Sequence, residues 1–139
     1  MTTLRNMCDV IRRAPITLPP SATVQQACES MQQHRVGAIV VVNELHQLLG
    51  IFTGRDAVRL LAEGRNPAHT HLDAVMTRDP THLPPGHNSL EALHLMHDGG
   101  FRHVPVVEHG RVVGVVSHGD FRHFEHARLD EQTGIWERL

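Results

Sequence analysis

A seven-residue motif occurs twice in the chain and limits the folds that it can adopt. Residues 50–56 read Gly-Ile-Phe-Thr-Gly-Arg-Asp, and residues 114–120 read Gly-Val-Val-Ser-His-Gly-Asp, a shift of 114 − 50 = 64 residues. Each copy predicts an apolar strand that ends at a hydroxyl residue, with a carboxylate three residues later where a helix begins. We therefore expect an internally duplicated structure with two equivalent helix starts.

The similarity between the two halves extends beyond the motif. Identical residues align in pairs: Thr17 with Thr81, Pro20 with Pro85, Ala27 with Ala92, and Met31 with Met96. The offset changes from 64 to 65 and back, which places a one-residue difference in a connection, where it costs little. One half alone would bury only about 60% of its unfolded surface, so we expect the halves to fold together.

Helical periodicity appears once in each half, ahead of the strands. Val24, Ala27, Cys28 and Met31 recur at the spacing of one helix face, so Cys28 is interpreted as a small core residue. The equivalent helix is predicted to begin after Asn88 as N-cap and to end at Gly99 and Gly100. Both helices are amphipathic and are expected to dock on a sheet.

Two β-rich apolar runs follow each of these helices. They are residues 38–42 and 48–53 in the first half, and 104–107 and 112–117 in the second. Because the runs are continuous rather than alternating, we expect them to be buried on both faces at the centre of a sheet. Short strands are expected at 16–18 and 81–83, and helices after the motifs at 55–62 and 121–129.

These elements predict an α/β (α+β) fold. It consists of two pseudo-symmetric repeats, each a small, mainly three-stranded sheet packed by helices, which together form one module.

Composition argues against several classes of partner and location, namely nucleic acid, the membrane and the secreted disulfide-rich proteins. Lys and Arg total 13 against 15 for Asp and Glu, a formal charge of −2, and the arginines are scattered among acidic residues rather than forming a basic stripe. Cys8 and Cys28 do not make a disulfide framework. No run approaches the ~20 apolar residues of a membrane span, and the first 13 residues lack a leader pattern. We expect a cytoplasmic protein without nucleic-acid or membrane partners.

Each motif has two interpretations. Thr53 with Asp56, and Ser117 with Asp120, are capping boxes. The same helix starts offer backbone N–H groups to phosphate, and a carboxylate can accept hydrogen bonds from the two hydroxyls of a ribose. Because a cap alone does not require Gly50 and Gly114 in the preceding strand, we favour a nucleotide-binding role.

The tandem pattern strand-Gly-x-x-Thr/Ser-x-x-Asp-helix resembles a CBS domain pair, or Bateman module. Residues 102–107 and 73–77 are similar to further segments of such repeats, and the resemblance runs from about Pro15 to His126. It implies a stand-alone CBS-domain protein with an N-terminal helical extension at 1–14, repeats at 15–71 and 72–129, and a tail at 130–139. In that tail, Trp136 is a candidate dimer or partner contact.

The resemblance implies a regulatory module that senses adenosine ligands: AMP, ADP, ATP, NAD or S-adenosylmethionine. The ligand would bind in clefts between the two repeats, and a homodimer would signal to an unknown protein target. We expect no enzymatic activity, no catalytic residues, no metal and no required cofactor. Two alternatives stay open: a structural homodimerisation module with unoccupied clefts, and a histidine-based metal binder.

The resemblance also assigns roles by position. Asp56 and Asp120 would hold ribose hydroxyls, while Thr53 and Ser117 would contact phosphate or ribose. Since Arg102-His103 aligns with Gly37-Ala38, we expect the Asp56 cleft to receive the cations and to prefer a charged phosphate. The implied nucleotide-binding set is Thr17, Leu18, Arg35, Val36, Gly37, Ala38, Ile39, Thr53, Arg55, Asp56, Thr81, His82, Arg102, His103, Val104, Pro105, Ser117, His118, Gly119 and Asp120.

Thirteen histidines are the one unusual feature of the composition. His94 with His97, and His123 with His126, stand at i, i+3 on predicted helices. A structural zinc site needs four ligands and usually includes cysteines, so solvated helix faces are the favoured interpretation. Beside a bound phosphate, His103 or His118 would titrate near neutral pH, and protonation would then tighten nucleotide binding.

Overall fold

The structure divides the chain into two compact units. It is a computed structural model that describes residues 5–7, 14–121 and 123–133, without the side chains of residues 123, 124 and 131–133. The first unit comprises Pro15–Pro80 and His109–Val113, and the second comprises Thr81–Glu108 with the other described residues. Cys8, Trp136 and most of the predicted N-terminal extension lie outside the described residues.

A four-stranded sheet organises the first unit. Its strands are β1 (Thr17–Leu18), β2 (Ala38–Val42), β3 (Leu48–Thr53) and β4 (Thr77–Arg78), in that spatial order. β1 runs parallel to β2, and the other neighbours are antiparallel. All five residues of β2 are buried, which confirms the central position predicted from its continuous apolar run. The edge strand β4 was not predicted.

Three helices cover this sheet: α1 (Val24–His34), α2 (Gly54–Ala62) and α3 (Leu72–Val75). Thr23 caps α1 in a capping box with Gln26, and the helix buries Val24, Ala27 and Met31 at the predicted spacing. These side chains belong to one apolar cluster with residues of β2 and β3. Cys28 packs against the cluster but is only half-buried, so it lies at the edge of the core rather than within it.

Helix α4 (Ser89–Gly99) and strand β5 (His103–Glu108) lie in the second unit. Strand β6 (Arg111–Ser117) follows, and its residues from Gly114 onward belong to this unit. The Asn88 side chain accepts a hydrogen bond from the Glu91 backbone N–H at 3.0 Å, so the predicted N-cap is confirmed. The helix ends at Gly100, which has a φ of 71° in the left-handed region that glycine adopts without cost.

Two predictions for the strands of this half are wrong: a short strand at residues 81–83, and burial of both faces of the last strand. Residues 81–83 form no strand, and only Leu83 makes an isolated parallel bridge, to Val106. Pro84 and Pro85 follow immediately, and they have no N–H groups with which to extend a ladder. In β6 the burial alternates along the strand, so one face is buried and the other is partly exposed.

The helix after the second motif begins later than predicted. Residues His118–Asp120 form a single 3-10 turn, and α5 runs from His123 to Thr133. Between them Phe121 is extended, with φ −89° and ψ 148°, and the residue is only 7% exposed. The first motif, by contrast, continues directly into α2.

An ion pair inside the second unit ties the N-terminal residues to α5. The Arg5 guanidinium donates to Glu125 Oε1 at 2.7 Å and to the Asp120 carbonyl at 3.0 Å. The Arg5 side chain is 11% exposed, and that of Glu125 is fully buried. Met7 is also buried, and its N–H donates to the His87 carbonyl at 2.9 Å.

The turn between β5 and β6 belongs to the first unit. Gln47 and Arg111 form an antiparallel bridge, and the Val112 N–H donates to the His46 carbonyl at 3.1 Å. The first unit is therefore assembled from two separate stretches of sequence. No helix within the described ranges is long and apolar enough to cross a membrane.

Candidate functional site

The first motif forms the predicted capping box where β3 meets α2. Thr53 is extended, and its Oγ1 accepts a hydrogen bond from the Asp56 N–H at 3.3 Å. Oδ2 of Asp56 accepts from the Thr53 N–H at 2.9 Å and from the Thr53 hydroxyl at 3.0 Å. The backbone therefore fixes both the position and the orientation of this carboxylate.

The second motif repeats this arrangement in its own unit. Oδ2 of Asp120 accepts from the Ser117 N–H at 2.7 Å. One further backbone hydrogen bond has an exact counterpart: Gly54 N–H donates to Gly37 at 3.1 Å, and His118 N–H donates to Arg102 at 2.8 Å. The two units thus hold the same backbone scaffold around different side chains.

In both motifs the capping hydrogen bonds are made to Oδ2 of the aspartate, and Oδ1 takes no part in the cap. Oδ1 of Asp56 lies 3.7 Å from Arg59 Nη2, in an ion pair whose arginine is half-exposed and which contributes little energy. Oδ1 of Asp120 makes no hydrogen bond to any residue that the structure describes. Each carboxylate oxygen has two lone pairs, so each Oδ1 can accept hydrogen bonds from two hydroxyl groups.

Glycines near the motifs have two different roles. An added Cβ at Gly50 would lie 2.6 Å from Met76 Sδ and 2.8 Å from the Thr77 carbonyl oxygen. Packing against β4 therefore accounts for Gly50, so this glycine is not by itself evidence for a ligand. At Gly54 and Gly119, by contrast, no described atom lies within 4 Å of such a Cβ.

The other first-unit residues of the implied binding set lie on β1, β2 and the segment between α1 and β2. In the sheet, Ala38 pairs with Thr53, and Thr17 pairs with Val40. Arg35 ends α1 in the left-handed region, at φ 55° and ψ 46°. Of the remaining members, Leu18 and Val36 are half-buried, Ile39 is buried, and Gly37 and Arg55 are exposed.

In the second unit the implied set divides between an exposed segment and β5. Thr81 and His82 are exposed and precede Leu83, while Val104 and Pro105 are buried in β5. Arg102 and His103 are expected to supply positive charge to a ligand bound at Asp56. This expectation involves residues of both units and stays a prediction.

Four ionisable side chains lie beside the second motif: Arg102, His103, His118 and His126. Arg102 Nη2 lies 3.3 Å from His118 Nδ1, and the rings of His118 and His126 have centroids 4.5 Å apart at 48°. Burial lowers the pKa of His103, against the charge of Asp120, which raises it, and Arg102 lowers it further. Burial also lowers the pKa of His118, and the charges of His126 and Arg102 add to this effect.

His126 was not among the implied site residues. The sequence signal was its i, i+3 spacing from His123, which suggested a metal or a solvated face rather than contact with the motif. Among the side chains that the structure describes, no three His, Cys, Asp or Glu groups converge to hold a metal ion.

Comparison with known families identifies the repeat. A family model of the CBS domain matches residues 7–63 and matches again at residues 72–127. The chain belongs to the CBS domain family. The CBS pair predicted from the twin motif is thus confirmed, together with its mixed α/β fold.

Among its relatives, CBS domain-containing protein CBSCBSPB2 of Arabidopsis thaliana is 40% identical over 102 residues. The match covers 73% of this chain but only 19% of that protein, so the chain spans about a fifth of this relative.

Two solved CBS structures share the fold. CBS domain protein PAE2072 from Pyrobaculum aerophilum, complexed with AMP, has a TM-score of 0.83 at 23% identity and covers 91% of this chain and 98% of its own. The CBS domain pair of protein MJ0100, complexed with 5′-methylthioadenosine and S-adenosylmethionine, has a TM-score of 0.77 at 25% identity. That match covers 89% of this chain and 98% of the other.

Proposed function

We propose that this CBS pair senses an adenosine ligand whose ribose hydroxyls donate to Asp56 or Asp120. The observation that carries the proposal is the pair of carboxylates held by their caps through Oδ2. Oδ1 of Asp56 makes the weak, half-exposed ion pair with Arg59, which a ligand can replace. The 5′-methylthioadenosine and S-adenosylmethionine bound by the MJ0100 pair support an adenosine ligand here. Hydrogen bonds to a charged acceptor contribute about 1.5–3 kcal/mol each.

The neighbouring groups suit the rest of such a ligand. The positions of Gly54 and Gly119 leave room for a ligand to approach the backbone at both motifs. The Thr53 and Ser117 hydroxyls stand at the same two positions and can contact phosphate or ribose. AMP, ATP, NAD and S-adenosylmethionine are the ligands to be compared.

Regulation would follow if the ligand binds two conformations of the protein with different affinity. We propose a homodimer as the signalling form, with a protein target of unknown identity and no enzymatic activity. Val58 and Leu61 support a dimer, because they stand one turn apart on α2 with 67% and 69% of their surface exposed. The same face would serve the alternative function, structural dimerisation without a ligand.

The decisive experiment is calorimetry with the four ligands on the wild-type chain and on Asp56→Ala and Asp120→Ala. Each substitution should weaken binding by about 10- to 100-fold at its own site, since each removes a charged acceptor for ribose. If no ligand binds at millimolar concentration, the sensor function is wrong. If either substitution weakens both sites equally, the assignment of one carboxylate to each site is wrong.

A matched control separates the cap from the ligand. Gln26 in α1 has the same structural role as Asp56, since its side chain accepts from the Thr23 N–H at 2.9 Å. Gln26→Ala should therefore lose a comparable capping hydrogen bond, worth about 0.5–1.5 kcal/mol, and leave ligand affinity unchanged. An equal loss of affinity in Gln26→Ala and Asp56→Ala would show that binding responds only to stability.

A further inference from the structure

We propose that Arg102, His118 and His126 form a proton-coupled site for a phosphate group. This cluster, the Arg102–His118–His126 cluster, would favour phosphate-bearing adenosine ligands over uncharged or cationic ones, and would bind them more tightly as the pH falls. The adenosine part of the inference rests on the proposed function. The phosphate part depends on the cluster alone.

The hydrogen bond from Arg102 fixes the protonation state of His118. A guanidinium is always protonated and has only donor groups, so in the 3.3 Å contact it must donate to His118 Nδ1. Nδ1 is then unprotonated, and the single ring proton is on Nε2. The cluster without an anion therefore holds His118 as a neutral imidazole.

The contact between the two rings works in the same direction. The centroids of His118 and His126 are 4.5 Å apart, close enough for two protonated rings to repel each other strongly. The Arg102 charge beside His118 adds to this repulsion. The lowered pKa of His118, caused by burial, by His126 and by Arg102, agrees with the geometry.

A phosphate monoester would reverse this balance. It carries a charge of about −1.5 to −2 at neutral pH and offers three acceptor oxygens. Beside it, a proton taken from solvent by His118 Nδ1 would turn that atom from an acceptor into a donor and end its hydrogen bond with Arg102. Arg102 and both imidazolium rings could then donate to the phosphate.

The sign of the pH dependence follows from this exchange. The anion raises the pKa of the two rings in the complex above their values in the unbound protein, so binding takes up protons. Affinity for phosphate therefore rises as the pH falls through the pKa values of the complex, by up to about tenfold per pH unit for each proton taken up. An uncharged ligand causes no such uptake.

The other charges around the cluster can be assigned. Asp120, in the same turn, raises the pKa of the adjacent His103, which would favour a cation near the phosphate. Glu125, on α5, forms an ion pair with Arg5. Asp130 stands one turn after His126 on the same helix.

The first repeat has none of the three groups. At the offsets of 65 and 64, Arg102, His118 and His126 align with Gly37, Gly54 and Ala62, although the backbone hydrogen bond between the first two positions is kept. The backbone scaffold therefore does not require this cluster. Its side chains are a property of the second repeat.

Two measurements test the inference. Histidine ring protons are followed by NMR against pH with and without inorganic phosphate, and assigned with His118→Gln and His126→Gln. We expect phosphate to raise the pKa of both rings and to leave that of His97, on α4, unchanged. If phosphate moves neither pKa, the phosphate site is refuted, whatever adenosine ligands do.

Calorimetry then compares AMP with 5′-methylthioadenosine between about pH 8 and pH 6.5, where AMP keeps most of its second negative charge. We expect AMP affinity to rise about threefold or more over this range, and that of 5′-methylthioadenosine to change less than about twofold. His118→Gln and His126→Gln should each reduce the rise for AMP, and His97→Gln should not. Equal pH dependence for both ligands refutes the inference while leaving the proposed function intact. If neither ligand binds, the proposed function fails and the NMR result decides the phosphate site.

Discussion

Substitution of Gly50 by alanine tests whether the glycine before the motif serves packing or ligand binding. The added Cβ would overlap Met76 Sδ at 2.6 Å and the Thr77 carbonyl oxygen at 2.8 Å. The Met76 side chain can rotate, but Thr77 is part of β4, whose pairing with β3 places Arg78 directly opposite Gly50. The two strands must therefore separate.

The expected loss of unfolding free energy is about 2–3 kcal/mol, the usual cost of overpacking when the backbone itself must shift. For a chain of this length, that corresponds to a decrease in Tm of roughly 5–10 °C. Urea unfolding followed by circular dichroism measures the first quantity, and a thermal scan the second. Neither requires a ligand.

Gly54→Ala is the matched control, four residues along the same motif. No described atom would lie within 4 Å of its Cβ, and the position is the first residue of α2. We expect no loss of stability there, and at most a gain of about 1 kcal/mol from the better helix propensity of alanine. If the two variants unfold within about 0.5 kcal/mol of each other, the close approach of β4 does not explain Gly50.

Two further substitutions test the ion pair and the proposed dimer face. Arg5→Met should lower the free energy of unfolding in urea by about 3–5 kcal/mol, because the buried Glu125 carboxylate loses its guanidinium partner. The double variant with Glu125→Leu should recover most of that loss. An Arg5→Met variant as stable as the wild type would contradict this. Leu61→Glu should convert a sedimenting dimer into monomers without changing unfolding, whereas Leu45→Glu, 67% exposed in the turn after β2, should leave the dimer intact. A monomeric wild-type chain would refute the homodimer.

Most of the first unit could be predicted because its local signals agree with its tertiary contacts. The bounds of β2 and β3 match the predicted runs, and α1 buries three of the four residues at the predicted spacing. The strand β4 could not be found, because two exposed residues, Thr77 and Arg78, carry no burial pattern and pair with β3 only through the backbone.

The second motif shows where likeness in sequence is insufficient. Ser117 and Asp120 match Thr53 and Asp56, yet only the first motif continues directly into an α-helix. At the position of Ala57 the second repeat has Phe121, whose backbone is extended and which is buried. A large side chain after a cap can be noticed in a sequence, but its destination depends on the core that it meets.

The candidate site was likewise only partly predictable. The two caps follow from short-range spacing, so Asp56 and Asp120 could be placed from the sequence. The contact between His118 and His126 links the motif to α5, and that link depends on where α5 begins. The packing role of Gly50 could not be predicted either, because the atoms that approach it belong to Met76 and Thr77, 26 and 27 residues further along the chain.

The turn between β5 and β6 has a consequence for synthesis on the ribosome. Since His109–Val113 completes the first unit, that unit cannot finish folding when the first repeat has emerged, and must wait for most of the second. A fragment cut between the repeats would leave His46 and Gln47 without their partners at Val112 and Arg111. The first unit is therefore still completed before the second, but only after a large part of the second repeat has been synthesised.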